Sequence, residues 1–178
     1  MRLISSRGWL GAALFLLCAA CGLAAPSRDD ALQAISVLEK DILGPGADEA
    51  AKTIVVYAQV SDDVMVDVGP DELPWLSEDW GLDKDREAQL HSLLLAAFVA
   101  GDVKTQLRSA HALDDTYSGW LFAIDAYHRM RLKENFRSPS LDALSKLQDD
   151  GKLFKHAKEV EEQQEEQQPP DTQERPYA

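Results

Sequence analysis

The acidic side chains of this chain come in adjacent pairs: Asp29-Asp30, Asp62-Asp63, Asp114-Asp115 and Asp149-Asp150. Two carboxyls can divide general-acid and general-base work when their environments differ, so each pair is a place to look for chemistry. Each pair also falls at an expected helix boundary, where an Asp can cap the helix or meet its dipole. That explains the first and third pairs without catalysis. The four histidines, His91, His111, His128 and His156, are scattered. No two lie within one helical turn and none sits in an HExxH pattern, so the spacing offers no local zinc site. The chain contains neither a GxSxG elbow nor a Gly-rich phosphate loop. No catalytic residue, cofactor or metal ligand is therefore assigned.

The most suggestive stretch is Glu78-Asp79-Trp80-Gly81-Leu82-Asp83-Lys84-Asp85. Clustered carboxylates suit calcium, but the alternating oxygen ligands, central Gly and terminal Glu of an EF-hand are absent. Large aromatic rings beside acids can cradle a sugar or a peptide, and loops carry function more often than helices do. Trp75, Asp79, Trp80 and Asp83 make the expected binding surface. The plainer reading is a loop pinned by its tryptophans, with Asp83 or Asp85 capping the following helix. Leu73 and Leu76 flank Trp75 and point to packing; Glu78, Asp79 and Gly81 surround Trp80 and point to contact with a partner.

The elements that hold this loop read as helices. Ser27, Asp29 and Asp30 suit a helix entry, and Leu32, Ile35, Leu38 and Ile42 form one helical face. Gly44-Pro45-Gly46 stops it. Asp48 can cap a second helix, whose face is Ala50, Ala51, Ile54, Tyr57 and Ala58. The run Ile54-Val55-Val56-Tyr57 also suits a strand, so a hairpin turning at 61–63 competes with a helix to Val60 followed by an extended 64–68. The loop spans 69–83, because Gly69-Pro70 and Leu73-Pro74 block regular structure. Leu90, Leu93, Leu94, Ala97 and Phe98 make a strong helical face. Gly101 is expected to end that helix and Asp102 to cap a new one, with Val103, Leu107, Ala110 and Leu113 buried. Further helices follow from Thr116 to about Lys133, from Ser138-Pro139-Ser140 onward, and after Gly151.

The fold class is thus all-α: antiparallel helical hairpins of six or seven helices over 28–160, with an extended or hairpin segment near 62–68. A short solenoid-like array fits the spacing of the helix pairs, although the aromatic, Gly and Pro positions of tetratricopeptide repeats do not line up. The Gln/Glu/Pro-rich stretch 161–178 has almost nothing to bury and is expected to be a disordered acidic tail.

The first residues carry Arg2 and Arg7 and no acid, and an apolar run follows over 9–17 and weakly to 25. A basic start, a short apolar stretch and small residues at its end make a secretory leader. Gly11 and Gly22 weaken it as a membrane span, which needs roughly 20 apolar residues. Cutting after Ala24 would remove 1–24. A second route is open, because Leu17-Cys18-Ala19-Ala20-Cys21 resembles the bacterial lipobox, with Cys18 where that pattern has Leu. The resemblance implies a leader of 1–20, a diacylglyceryl thioether on Cys21 and a bacterial envelope. Cys18 and Cys21 are the chain's two cysteines, so the mature domain would hold no disulfide.

The chain has 31 acidic and 18 basic residues, a net charge of −13. Such charge opposes nucleic acid and anionic lipid as partners, which leaves membrane attachment to the lipid on Cys21. The expected function is a non-enzymatic cell-envelope protein, periplasmic or lipid-anchored: a helical module binding a protein or peptide, or a scaffold. Its groove would lie near Trp75, Trp80 and Trp120. The alternative is an envelope hydrolase or lyase that uses dispersed Asp or Glu carboxylates, with envelope polysaccharide as one substrate.

Overall fold

A computed structural model describes residues 25–109 and 114–167. Six α-helices pack as a bundle, with no strand among the described residues. They are α1 (Arg28–Lys40), α2 (Ala47–Val60), α3 (Lys84–Ser109), α4 (Thr116–Arg131), α5 (Pro139–Asp149) and α6 (Leu153–Gln167), with one 3-10 turn at Pro74–Ser77. The proposed leader, with Cys18 and Cys21, lies outside the described residues, as do Ala110, His111, Leu113 and the tail from 168; residues 161–167, expected to begin a disordered tail, instead continue α6.

Helix starts follow local chemistry. The Ser27 hydroxyl accepts from Asp30 N, while Asp30 accepts from Ser27 N at 2.8 Å, a capping box on α1. Asp115 caps α4 through Ser118 N at 3.0 Å. Ser138 caps α5 through Leu141 N, with Pro139 in the first turn. At α2 the cap is Gly46 rather than Asp48: Gly46 sits at φ 85°, where a side chain is strained, and Asp48 falls in the first turn beside the helix dipole. α2 stays helical through 54–57 and ends at Val60; residues 64–68 have no regular secondary structure, and no hairpin forms there.

The helix break expected at Gly101 does not occur. α3 runs 26 residues straight through it. Gly101 is buried where α3 crosses α4, and a Cβ there would clash with the Ser118 carbonyl and lie 2.8 Å from Phe122 Cβ. Gly119 on α4 makes the reciprocal approach: a Cβ there would lie 2.6 Å from the Phe98 ring. A glycine costs about 1 kcal/mol in a helix interior, and here close packing of the two longest helices offsets that cost. Asp102, expected to cap a new helix, therefore lies within α3 with none of its surface exposed.

α3 is the centre of the bundle. It contacts α1, α2, α4 and the 3-10 turn, and α6 packs on α4 and α5. Trp75, Phe98, Trp120 and Tyr127 are the largest fully buried side chains, set among Ile35, Leu38, Ile54, Leu90, Leu93, Leu94 and Ile124. Residues 61–73 form a strap over the bundle, with Val64 and Leu73 buried beneath it.

Candidate functional site

The anticipated surface of Trp75, Asp79, Trp80 and Asp83 is divided by the fold. Trp75 sits in the 3-10 turn, is fully buried and packs on Phe98, so it contributes no surface. Trp120 is equally buried, and its indole N–H donates to the Glu72 carbonyl at 2.7 Å. No groove joins these two rings to Trp80. Asp83 accepts from Asp85 N at 3.1 Å, capping the start of α3. Asp79 and Trp80 remain together at the surface.

Trp80 is fixed from several sides. Its backbone N–H and that of Leu82 both donate to Glu87, at 3.1 and 3.2 Å. Its indole N–H donates to Glu78 at 2.9 Å. Gly81 holds φ 68°, and its N–H donates to Asp79 at 2.8 Å. Glu78 also accepts from the N–H and hydroxyl of Ser140, at 2.8 and 2.6 Å, which ties the loop to the start of α5. Burial pushes the Glu78 carboxyl up, but hydrogen bonds from Ser138, Ser140 and Trp80 outweigh it and hold the group below its ordinary pKa. The Trp80 ring lies edge-on to His91 at 4.0 Å and against Phe136 at 4.7 Å. Burial lowers the pKa of His91, with Glu87 and Glu78 acting the other way.

An open cleft of about 490 Å³ lies over this ring, lined by Asp79, Trp80, Asn135, Phe136, Arg137, Pro139 and Asp142. Asp142 accepts from the Tyr127 hydroxyl at 2.9 Å, from Arg131 at 3.0 Å and from Arg137 at 2.8 Å. Burial raises its pKa, and these donors more than reverse that. Its acceptor capacity is largely used. Arg137, by contrast, has 75 % of its side chain exposed and N–H groups to spare. The cleft thus offers an apolar floor and a polar, amide-bearing rim, where the exposed Arg137 cation stands beside the carboxylates of Asp79 and Asp142. The sequence reading missed Asn135, Phe136, Arg137, Pro139 and Asp142. The available signal was an aromatic residue inside the short connector between α4 and α5.

A second cluster was also missed. Asp102 accepts from the Gln106 amide at 2.6 Å and from Asp115 N at 3.1 Å, and its carboxyl meets that of Asp114. Burial, with Asp114 and Asp115 adding charge, pushes Asp102 up to about 8. Burial raises Asp114 as well, and Asp67 adds to that. Glu72 is fully buried, and burial raises its pKa, with the backbone N–H groups of Glu72 and Gly69 acting the other way. Among the four aspartate pairs, only Asp114-Asp115 touches such a group; Asp29-Asp30, Asp62-Asp63 and Asp149-Asp150 are exposed.

Two chemical arrangements deserve a test against the geometry. The Ser145 hydroxyl lies 3.1 Å from His128 Nε2, but the pair is on open surface, and among the described residues no carboxylate orients the ring. Among the described residues no group of three or more His, Cys, Asp or Glu side chains could hold a metal ion, and no helix is long and apolar enough to cross a membrane. No protein-family model, no curated protein and no solved structure matches this chain.

Proposed function

We propose that the protein is a non-enzymatic helical binding module that takes a short peptide segment of another protein at the Trp80 cleft. The observation that carries this reading is the pre-ordered Trp80 ring. Hydrogen bonds to Glu87 and Glu78 and the Phe136 contact hold it in place before any ligand arrives, and Ser140 in turn fixes Glu78. Pre-ordering lowers the entropic cost of binding. An apolar or aromatic side chain would lie on Trp80 and Phe136, and a neighbouring carboxylate would meet Arg137. The test is a titration with short peptides carrying an aromatic residue beside an acid. Arg137→Glu should weaken binding of the acidic peptides at least tenfold and lower the thermal midpoint only modestly, since it removes the exposed Arg137–Asp142 pair. Peptides that bind the Arg137→Glu chain as tightly as the parent would remove the proposal.

The hydrolase or lyase alternative needs two unlike carboxyls reachable by substrate. Asp102 and Asp114 are unlike, but Asp102 has no exposed surface, so this pair does not serve an open cleft.

We further propose that the module works in a bacterial cell envelope, periplasmic or anchored by lipid on Cys21. The support is the basic and apolar start of the chain and its lipobox-like stretch. Intact mass of envelope-purified protein should show loss of 1–24, or loss of 1–20 with added lipid. A mass that retains residues 1–20 would contradict export by either route.

A further inference from the structure

The acids around Asp102 meet at a junction of three parts of the chain. The strap 61–73 is held there by polar contacts rather than by a strand ladder. The Gln106 amide of α3 accepts from Met65 N at 2.9 Å and donates to Met65 O at 2.5 Å. The Asp114 carboxylate accepts from Asp67 N at 2.8 Å and from the Thr116 hydroxyl at 3.3 Å. Asp102 orients the same Gln106 amide and receives Asp115 N at the start of α4. Its other oxygen, Oδ2, is buried and has no donor partner. The remaining groups that face the cluster are Asp67, Asp71 and Glu72 from the strap, Asp115 from α4, and Lys158 and Glu161 from α6. Lys158 is paired with Glu161, whose carboxylate also accepts from Thr116 N at 3.2 Å. Cationic charge at this junction is thus largely committed.

We propose that one proton shared between Asp102 and Asp114 is a latch that closes the strap onto α3 and α4, and that its loss opens the strap at Met65 and Asp67. The proton sits on the donorless Asp102 oxygen and is donated to Asp114. This leaves Asp114 free to hold Asp67 N and Asp102 Oδ1 free to hold Gln106. When the proton leaves to solvent, two carboxylates face each other beside buried Glu72. The repulsion separates the two groups that grip Met65 and Asp67. This latch stands independently of the peptide reading of the Trp80 cleft, since it uses none of the cleft residues.

Opening releases one proton, so the opening equilibrium rises up to tenfold per pH unit between the titration ranges of the open and closed states. Hydrogen exchange on the full-length chain reads this directly. After correction for intrinsic rates, protection of the Met65 and Asp67 amides should fall up to tenfold per unit from pH 5 to pH 8. Amides of α1 and α2 that exchange through global unfolding share its pH slope but should stay far better protected than Met65 and Asp67 at every pH. The Asp102→Asn chain should show a slope shallower by one proton. An unchanged slope in that chain, or protection of Met65 and Asp67 equal to that of α1 and α2 at every pH, overturns the latch. Carboxyl-carbon NMR of the unsubstituted protein gives a second reading that needs no variant. A raised Asp102 midpoint, tracked by the Met65 and Asp67 amide shifts, supports the latch. A midpoint in the ordinary carboxylate range overturns it.

Discussion

Trp75→Ala should lower the stability of the protein by about 3–5 kcal/mol, the usual cost of truncating a core aromatic. The indole is fully buried at the 3-10 turn, and its ring packs 6.4 Å from that of Phe98. Its N–H has no hydrogen-bond partner, so the substitution removes apolar contact and leaves a cavity without orphaning a polar neighbour. The walls around it are α3 and the proline-bounded turn, which cannot readily close the space. Urea unfolding measures the loss. Trp80→Ala is the internal comparison: that ring is partly exposed at the cleft, so its truncation should cost clearly less. Equal losses at the two positions would mean that Trp80 is a packing residue and the cleft incidental.

Asp102→Asn should stabilise the protein at neutral and alkaline pH, and the gain should grow with pH. The native pKa of Asp102 is raised to about 8 by burial and by Asp114 and Asp115, whereas an unfolded Asp titrates at about 3.9. Below the unfolded value both states hold the proton, and its favourable contribution is fully present. Between the two values only the native state holds it, so rising pH favours unfolding by up to about 1.4 kcal/mol per unit. The stability lost between pH 4 and pH 7 is then on the order of 4 kcal/mol. Asparagine does not titrate. Its oxygen can keep the Gln106 and Asp115 contacts, and its NH₂ can donate to Asp114 as the acid's proton does. Asp30, Asp41, Glu78 and Asp142 act with the opposite sign: their pKa values are lowered, and their contributions disappear as pH falls through them. Maximum stability is expected at mildly acidic pH, from about 4 to 6. Thermal midpoints of the two chains from pH 4 to pH 9 check this, and superimposable profiles would contradict it.

Much of the fold was legible in local chemistry. Ser27, Asp115 and Ser138 announce their helices because a cap needs only a side-chain oxygen within three residues of the N–H it accepts from. The apolar spacing of Leu90, Leu93, Leu94, Ala97 and Phe98 marked the central helix because a helix repeats every 3.6 residues whatever packs on it. Such signals are contained in a few neighbouring residues. The all-helical class follows from their sum.

What the sequence could not decide depended on partners distant along the chain. Gly101 reads as a helix stop, since glycine is poor in helix interiors; only the approach of Ser118 and Phe122 makes it a contact residue within α3. The same misreading made Asp102 a cap, when continuity of α3 carries it inside against Asp114, twelve residues later. The flanking residues did mark Trp75 for packing and Trp80 for the surface, but the partners that separate them come from the fold. Trp75 and Trp80 are five residues apart in one loop, but the 3-10 turn drives the first against Phe98, and Glu78 and Glu87 hold the second at the surface. Phe136 and Arg137 complete the cleft because α4 and α5 return the chain to Trp80, and nothing near positions 79–83 encodes that return. The sequence determined which segments are helical and where most of them begin. The tertiary structure alone decided which glycine is a contact, which acid is buried and which residues return to complete the cleft, because those outcomes are set by the neighbours that folding supplies.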